Sequence, residues 1–181
     1  MKVILLCIGS VDVEIMRSIQ SRLCRIFPET DCVTFEDAMP IPQDTYNARR
    51  SQYHSSNILA RIHDYAERSG ADRVLGVTEV DLYVPQLNFV FGEAQCPGRS
   101  AIISLCRLRP EFYRQAANRP LFIERSVKEA VHELGHTLGL GHCRNPQCVM
   151  FFSNSIFDTD RKKSTFCERC YPLVVGLLGR L

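Results

Sequence analysis

Residues 132–143 read HELGHTLGLGHC, and no other stretch constrains the folding of this chain as tightly. Three of the five histidines fall within eleven residues. Positions i and i+4 share one face of an α-helix, so His132 and His136 project side by side, about one turn apart. Glu133 is rotated about 100° further round the axis, where it reaches a water on a shared ion without displacing either ligand. Gly139 lets the chain leave the helix with positive φ, and His142 then returns from a non-helical segment. Three neutral imidazoles leave a fourth position open, as catalytic zinc requires and structural zinc does not. An ion held there would lower the pKa of a water, and Glu133 would take its proton during attack on a carbonyl. Gly135 carries no chemistry in this reading and only allows close packing of the helix.

The cysteine after His142 belongs to a second pattern. Of nine cysteines, Cys7, Cys24, Cys32, Cys96 and Cys106 are scattered, while Cys143, Cys148, Cys167 and Cys170 crowd into the last quarter. The pairs Cys143-x4-Cys148 and Cys167-x2-Cys170 match a closed tetrahedral four-thiolate zinc site. Adjacent residues on a turning chain point different ways, so His142 and Cys143 need not serve the same ion. Two Zn2+ are expected, one catalytic and one structural, the second pinning the loop that carries His142. A redox role for Cys167 and Cys170 lacks the surrounding thioredoxin-like βαβ pattern. Two disulfides are disfavoured inside a cell. Cys96 and Cys106 flank a turn and could pair.

An intracellular, cytoplasmic location is expected because the apolar run Val3–Ile8 is too short for a signal peptide. No apolar run approaches the length of about 18 residues that a membrane span needs. The net charge of +2 gives no argument for nucleic acid or an anionic membrane, and near the cysteines only Arg161, Lys162 and Lys163 form a basic run. Neither nucleic acid nor membrane is therefore an expected partner, and a monomer is favoured.

Periodicity predicts strands at 3–8, 32–35, 73–78, 88–91 and 101–105. It predicts helices over 11–27, 51–69 and 122–138, with a short one at 111–117. The segment beyond Gly139 reads as loop-rich.

The run HELGHTLGLGHCRNPQCVM, followed by CERC, resembles the archaemetzincins, a family within the metzincin zinc proteases. The stretches RRSQYHSSNIL and GVTEVDLYVPQLNFVFGEA are also similar to that family. The resemblance implies an α+β metzincin-like fold, α/β/α-like in its layering. A twisted mixed sheet with helices would form an N-terminal lobe (1–141) and a small zinc-stabilised C-terminal lobe (142–181) of one catalytic domain. It implies that Met150 is the Met-turn methionine beneath the metal, and that the strand near 88–91 rims a cleft between the lobes. The expected function is a zinc peptidase acting on peptides or small proteins. The alternative is a zinc-stabilised binding protein without turnover, because Phe151 and Phe152 follow Met150 and neither side chain donates a hydrogen bond.

Overall fold

The computed structural model describes residues 1–34 and 38–180. The first apolar run becomes β1 (Lys2–Ile8), which pairs in parallel with β2 (Asp31–Thr34) and β5 (Arg73–Thr78). Strand β8 (Ser100–Ser104) runs parallel to β5, and β7 (Gly92–Ala94) is antiparallel to β8. The sheet order is β2-β1-β5-β8-β7. Successive strand residues face opposite sides. Val3 and Leu5 therefore join one core, with α1 (Val13–Ile26) and α3 (Arg119–Thr137), while Ile4, Leu6 and Ile8 join another, with α2 (Ser55–Ser69). Every residue of β5 is buried, as in parallel strands covered by helices on both faces. A Cβ on Gly76 would lie 2.6 Å from Ile62 Cδ1 and 2.7 Å from Ile8 Cδ1, so this glycine sets how closely α2 approaches the sheet.

Local signals set several element ends. The Asp12 carboxylate accepts from Glu14 N and Ile15 N and caps α1. Gly70, at φ 66°, stops α2. Elsewhere pairing overrides local pattern. The helix expected from residue 51 begins at Ser55, because β4 (Gln52–His54) is drawn into a second sheet with β3 (Tyr46–Asn47) and β6 (Leu82–Tyr83). The strand expected at 88–91 is only a single bridge from Val90 to Leu82. The neighbouring residues 92–94 take the sheet edge instead. The short helix expected at 111–117 is a 3-10 turn, Pro110–Tyr113, ended by Arg114 at φ 59°. Of the strand expected at 32–35, Phe35 lies outside the described residues. Beyond Gly139 the chain is less loop-rich than expected, with α4 (Ile156–Arg161) and α5 (Cys170–Leu178). No helix among the described residues is long and apolar enough to cross a membrane.

Helix α3 carries charge on its buried side, and α4 answers it. Arg125, 2% exposed, makes a bidentate pair with Asp160 at 2.7 Å and donates to Leu108 O. Lys128 Nζ donates to Thr159 O, and Thr159 Oγ1 donates to Glu129 Oε1. Lys162, fully buried, stands 3.1 Å from the same carboxylate oxygen. Removing one partner of such a buried pair leaves the other charge uncompensated, at a cost of about 3–5 kcal/mol. Asp160→Ala, which leaves the buried Arg125 without its carboxylate, is expected to lose stability of about that order in denaturant unfolding; a loss below about 1 kcal/mol would mean the pair is solvated.

Candidate metal centre

The end of α3 builds the three-histidine site. Gly139 sits at φ 100°, Gly139 N donates to His136 O, and Leu140 N donates to Gly135 O. These two bonds make a Schellman stop. The reversal brings Leu140 O within 2.7 Å of His136 Nδ1, while His132 Nδ1 lies 2.8 Å from Val149 O. A carbonyl only accepts, so each ring carries its proton on Nδ1 and offers its Nε2 lone pair. Those Nε2 atoms are 3.1 Å apart. Tetrahedral zinc with bonds of about 2.0–2.1 Å sets its nitrogen ligands about 3.3 Å apart, close to that spacing. His142 completes the set, with its ring centroid 4.8 Å from that of His136 and 5.4 Å from that of His132. The candidate ligand atoms all lie within 4.8 Å of one another. Burial lowers all three imidazole pKa values, and Lys162 pushes the same way, so the rings are neutral near pH 7 and ready to ligate.

Around them, Met150 is fully buried. A Cβ on Gly135 would lie 2.5 Å from its Sδ, so Gly135 is the space that Met150 fills. Cys143 N donates to Met150 O and ties the His142 loop to the same point. Phe152, expected only as a residue without a donor, packs edge-on against His142 with centroids 4.9 Å apart. Glu133 is 5% exposed and stands against β7, where a Cβ on Gly92 would lie 2.7 Å from its Oε1. Burial raises its carboxyl well above the usual glutamate range; Glu129 adds to the rise and Lys162 opposes it.

The second set is also assembled. The sulfurs of Cys143, Cys148, Cys167 and Cys170 lie within 4.8 Å of one another, with Cys143 and Cys167 at 3.8 Å. Four thiolates bound at about 2.3 Å from a tetrahedral zinc stand about 3.8 Å apart, whereas a disulfide needs about 2.05 Å. Burial opposes ionisation of Cys167, but backbone N–H groups of Cys170 and Arg169 and the thiols of Cys148 and Cys170 outweigh it and bring its pKa to about 6. All nine cysteines are free. Cys96 and Cys106 do not pair: Cys96 Sγ instead reaches Leu140 O, and Cys106 opens a 3-10 turn.

The cleft over the histidines is walled by residues 84 and 86–94 and, opposite, by 152–154. It contains groups that no motif announced. Ser56 donates to Glu93 Oε1 at 2.7 Å, and Glu129 lies one helical turn before Glu133. Ser153 and Asn154 bring polar side chains just past the two phenylalanines. Only Ser56 and Glu93 had any sequence signal, since both fall within the two family-like stretches.

Known proteins resemble this chain in sequence and fold. The profile of peptidase family M54 matches residues 15–175. The archaemetzincin of Methanocaldococcus jannaschii is 43% identical over 176 residues, covering 94% of this chain and 90% of its own. The crystal structure of archaemetzincin from Methanopyrus kandleri superposes with a TM-score of 0.88 at 38% identity, covering 99% of this chain and 96% of that one. A zinc-dependent peptidase from Methanocorpusculum labreanum gives 0.85 at 32% identity, covering 94% of this chain and 99% of that one. The mixed sheet with its flanking helices is thus the α+β, metzincin-like fold that the zinc motif implied. By profile, relatives and architecture alike, the chain belongs to peptidase family M54, a family of metallopeptidases.

Proposed function

We propose that the protein hydrolyses peptide bonds with zinc held by His132, His136 and His142 and with Glu133 as general base. One observation supports this most. With both Nδ1 atoms committed to carbonyls, the Nε2 lone pairs of His132 and His136 converge at 3.1 Å, an approach that a shared cation relieves. Imidazoles accept several transition ions; zinc is favoured by the three-histidine set with an open position and by the relative described as a zinc-dependent peptidase. Zinc bound there supplies Lewis acidity to a substrate carbonyl and to water.

The proton work falls to Glu133. A carboxylate oxygen takes a proton as the water oxygen joins the carbonyl carbon, then delivers it to the amine as the C–N bond breaks. Its buried setting favours uptake of that proton. Met150 and Gly135 hold the last turn of α3 in place. Cys143, Cys148, Cys167 and Cys170 hold a second, structural zinc that pins the loop of His142 and Met150. Residues 1–141 and 142–181 act as two lobes of one catalytic domain. The substrates are peptides or small proteins, cleaved by a cytoplasmic monomer. Ser153 and Asn154 supply donors to a cleft whose lack of them was the argument for a silent binding protein.

Elemental mass spectrometry is expected to find two zincs per chain in the wild type and one in His136→Ala; one in both would remove the catalytic-zinc assignment. Glu133→Ala is expected to keep both zincs and lose roughly 10²–10⁴-fold in kcat on a peptide library. Cleavage at the wild-type rate would sink the mechanism. A helical Gly→Ala change ordinarily stabilises by about 0.5–1 kcal/mol. Gly135→Ala is expected to do the reverse, losing about 1–3 kcal/mol by overpacking against Met150, with the sign read from urea midpoints.

A further inference from the structure

The two family-like stretches that the metal centre leaves unexplained, 49–59 and 76–94, meet in space. Past Tyr83 the chain turns, with Leu87 N bonded to Val84 O, and returns to β6 through Val90 N and Leu82 O. Six residues of this 84–90 segment line the cleft. Its tip is held from outside. Arg50 Nη2 donates to Leu87 O at 2.9 Å and to Asn88 O at 2.8 Å. Gln52 Nε2 donates to Asn88 O and to Asp81 Oδ2, both at 3.0 Å, while Arg50 Nε donates to Gln52 Oε1 and so fixes which way that amide faces. The Arg50 guanidinium also lies 4.4 Å over the Tyr83 ring. On the other flank Arg107 is bidentate to Asp81, at 2.7 and 2.8 Å, and lies 4.3 Å over the Phe89 ring. Two arginines thus grip the cleft wall and join through Asp81 and Gln52. Gln52 is 4% exposed, so the clamp has a fixed base.

A brace for the sheet alone would bond to the strands. Arg50 bonds instead to two carbonyls at the tip, where two charge-assisted bonds from Nη2 replace the ladder that residues 84–88 lack. We propose that Arg50 is a positioning residue for the substrate: with Gln52 it holds the Leu87 and Asn88 carbonyls and so fixes the 84–90 wall before a peptide arrives. This rests on the peptidase reading of the cleft. A wall ordered in advance spares the substrate the cost of ordering it. Its loss therefore appears in KM, while Glu133 and the histidines, which Arg50 does not bond, keep kcat.

The test compares zinc-loaded wild type, Arg50→Ala and Arg50→Lys by hydrogen–deuterium exchange and by steady-state kinetics on a cleaved peptide. In Arg50→Ala, exchange across 84–90 is expected to rise about tenfold or more, as loss of hydrogen bonds from a charged donor implies, with residues 126–138 unchanged. KM should rise about tenfold with kcat held within about twofold, the mark of lost ground-state binding. Arg50→Lys keeps the charge without the fork and should recover part of both. Unchanged exchange with unchanged KM would overturn the proposal. So would a fall in kcat at constant KM, which places Arg50 in the chemistry. If the wild type cleaves no peptide, the peptidase reading fails, yet the exchange comparison still supports or overturns the clamp.

Discussion

Val149 and Met150 press against the last turns of α3, with Cys148 just before them in the four-cysteine cluster, and the rest of the site hangs on that segment. Cys148 faces the four-cysteine cluster. Val149 O accepts the hydrogen bond from His132 Nδ1–H. Met150 fills the space left by Gly135 and receives Cys143 N on its carbonyl. Adjacent side chains on an extended or turning chain diverge, so one short segment orients His132, sets helix position and joins a second cluster. The joint with the protein interior is tight because packed interiors shift between discrete arrangements rather than deform smoothly. A change at any of the three is therefore felt at the histidines.

The second constraint is electrostatic. Helix α3 buries Arg125, Lys128, Glu129, His132 and Glu133 along one side. Each buried charge costs several kcal/mol of desolvation unless paired. The pairs come from α4 and the residues flanking it: Asp160 for Arg125, backbone carbonyls for Lys128, and Thr159 with Lys162 for Glu129. Lys162 has a double consequence. It compensates Glu129, and its charge helps keep the histidines neutral and moderates the rise in the Glu133 pKa. A segment that reads as loop in the sequence is thus part of the electrostatic floor of the cleft.

The cleft's upper wall follows a different logic. It has few ladder bonds of its own and is gripped from outside by Arg50, Gln52 and Arg107. The floor is held by packing and buried charge, the wall by the half-buried Arg50 and Arg107 and the buried Gln52. A rigid floor suits ligands that must keep a geometry to fractions of an ångström, and a clamped segment suits a surface that meets varied substrates.

What the sequence determined by itself were features set by short-range periodicity. His132 and His136 share a face because the helix repeats at 3.6 residues. Gly139 stops that helix because it alone takes φ 100° without strain. The paired cysteines announced their own cluster, and the apolar runs of β1, β5 and β8 announced a buried sheet. Only the tertiary structure decided the rest. Whether 88–91 or 92–94 became the edge strand depended on which residues β8 offered as partners. Whether 52–54 began a helix or joined a strand depended on β6, nearly thirty residues on. The roles of Lys162, Glu129, Gly135 and Arg50 likewise needed partners distant in the chain. A hydrogen-bond ladder or a buried ion pair is a property of two segments, and neither segment encodes the other's position.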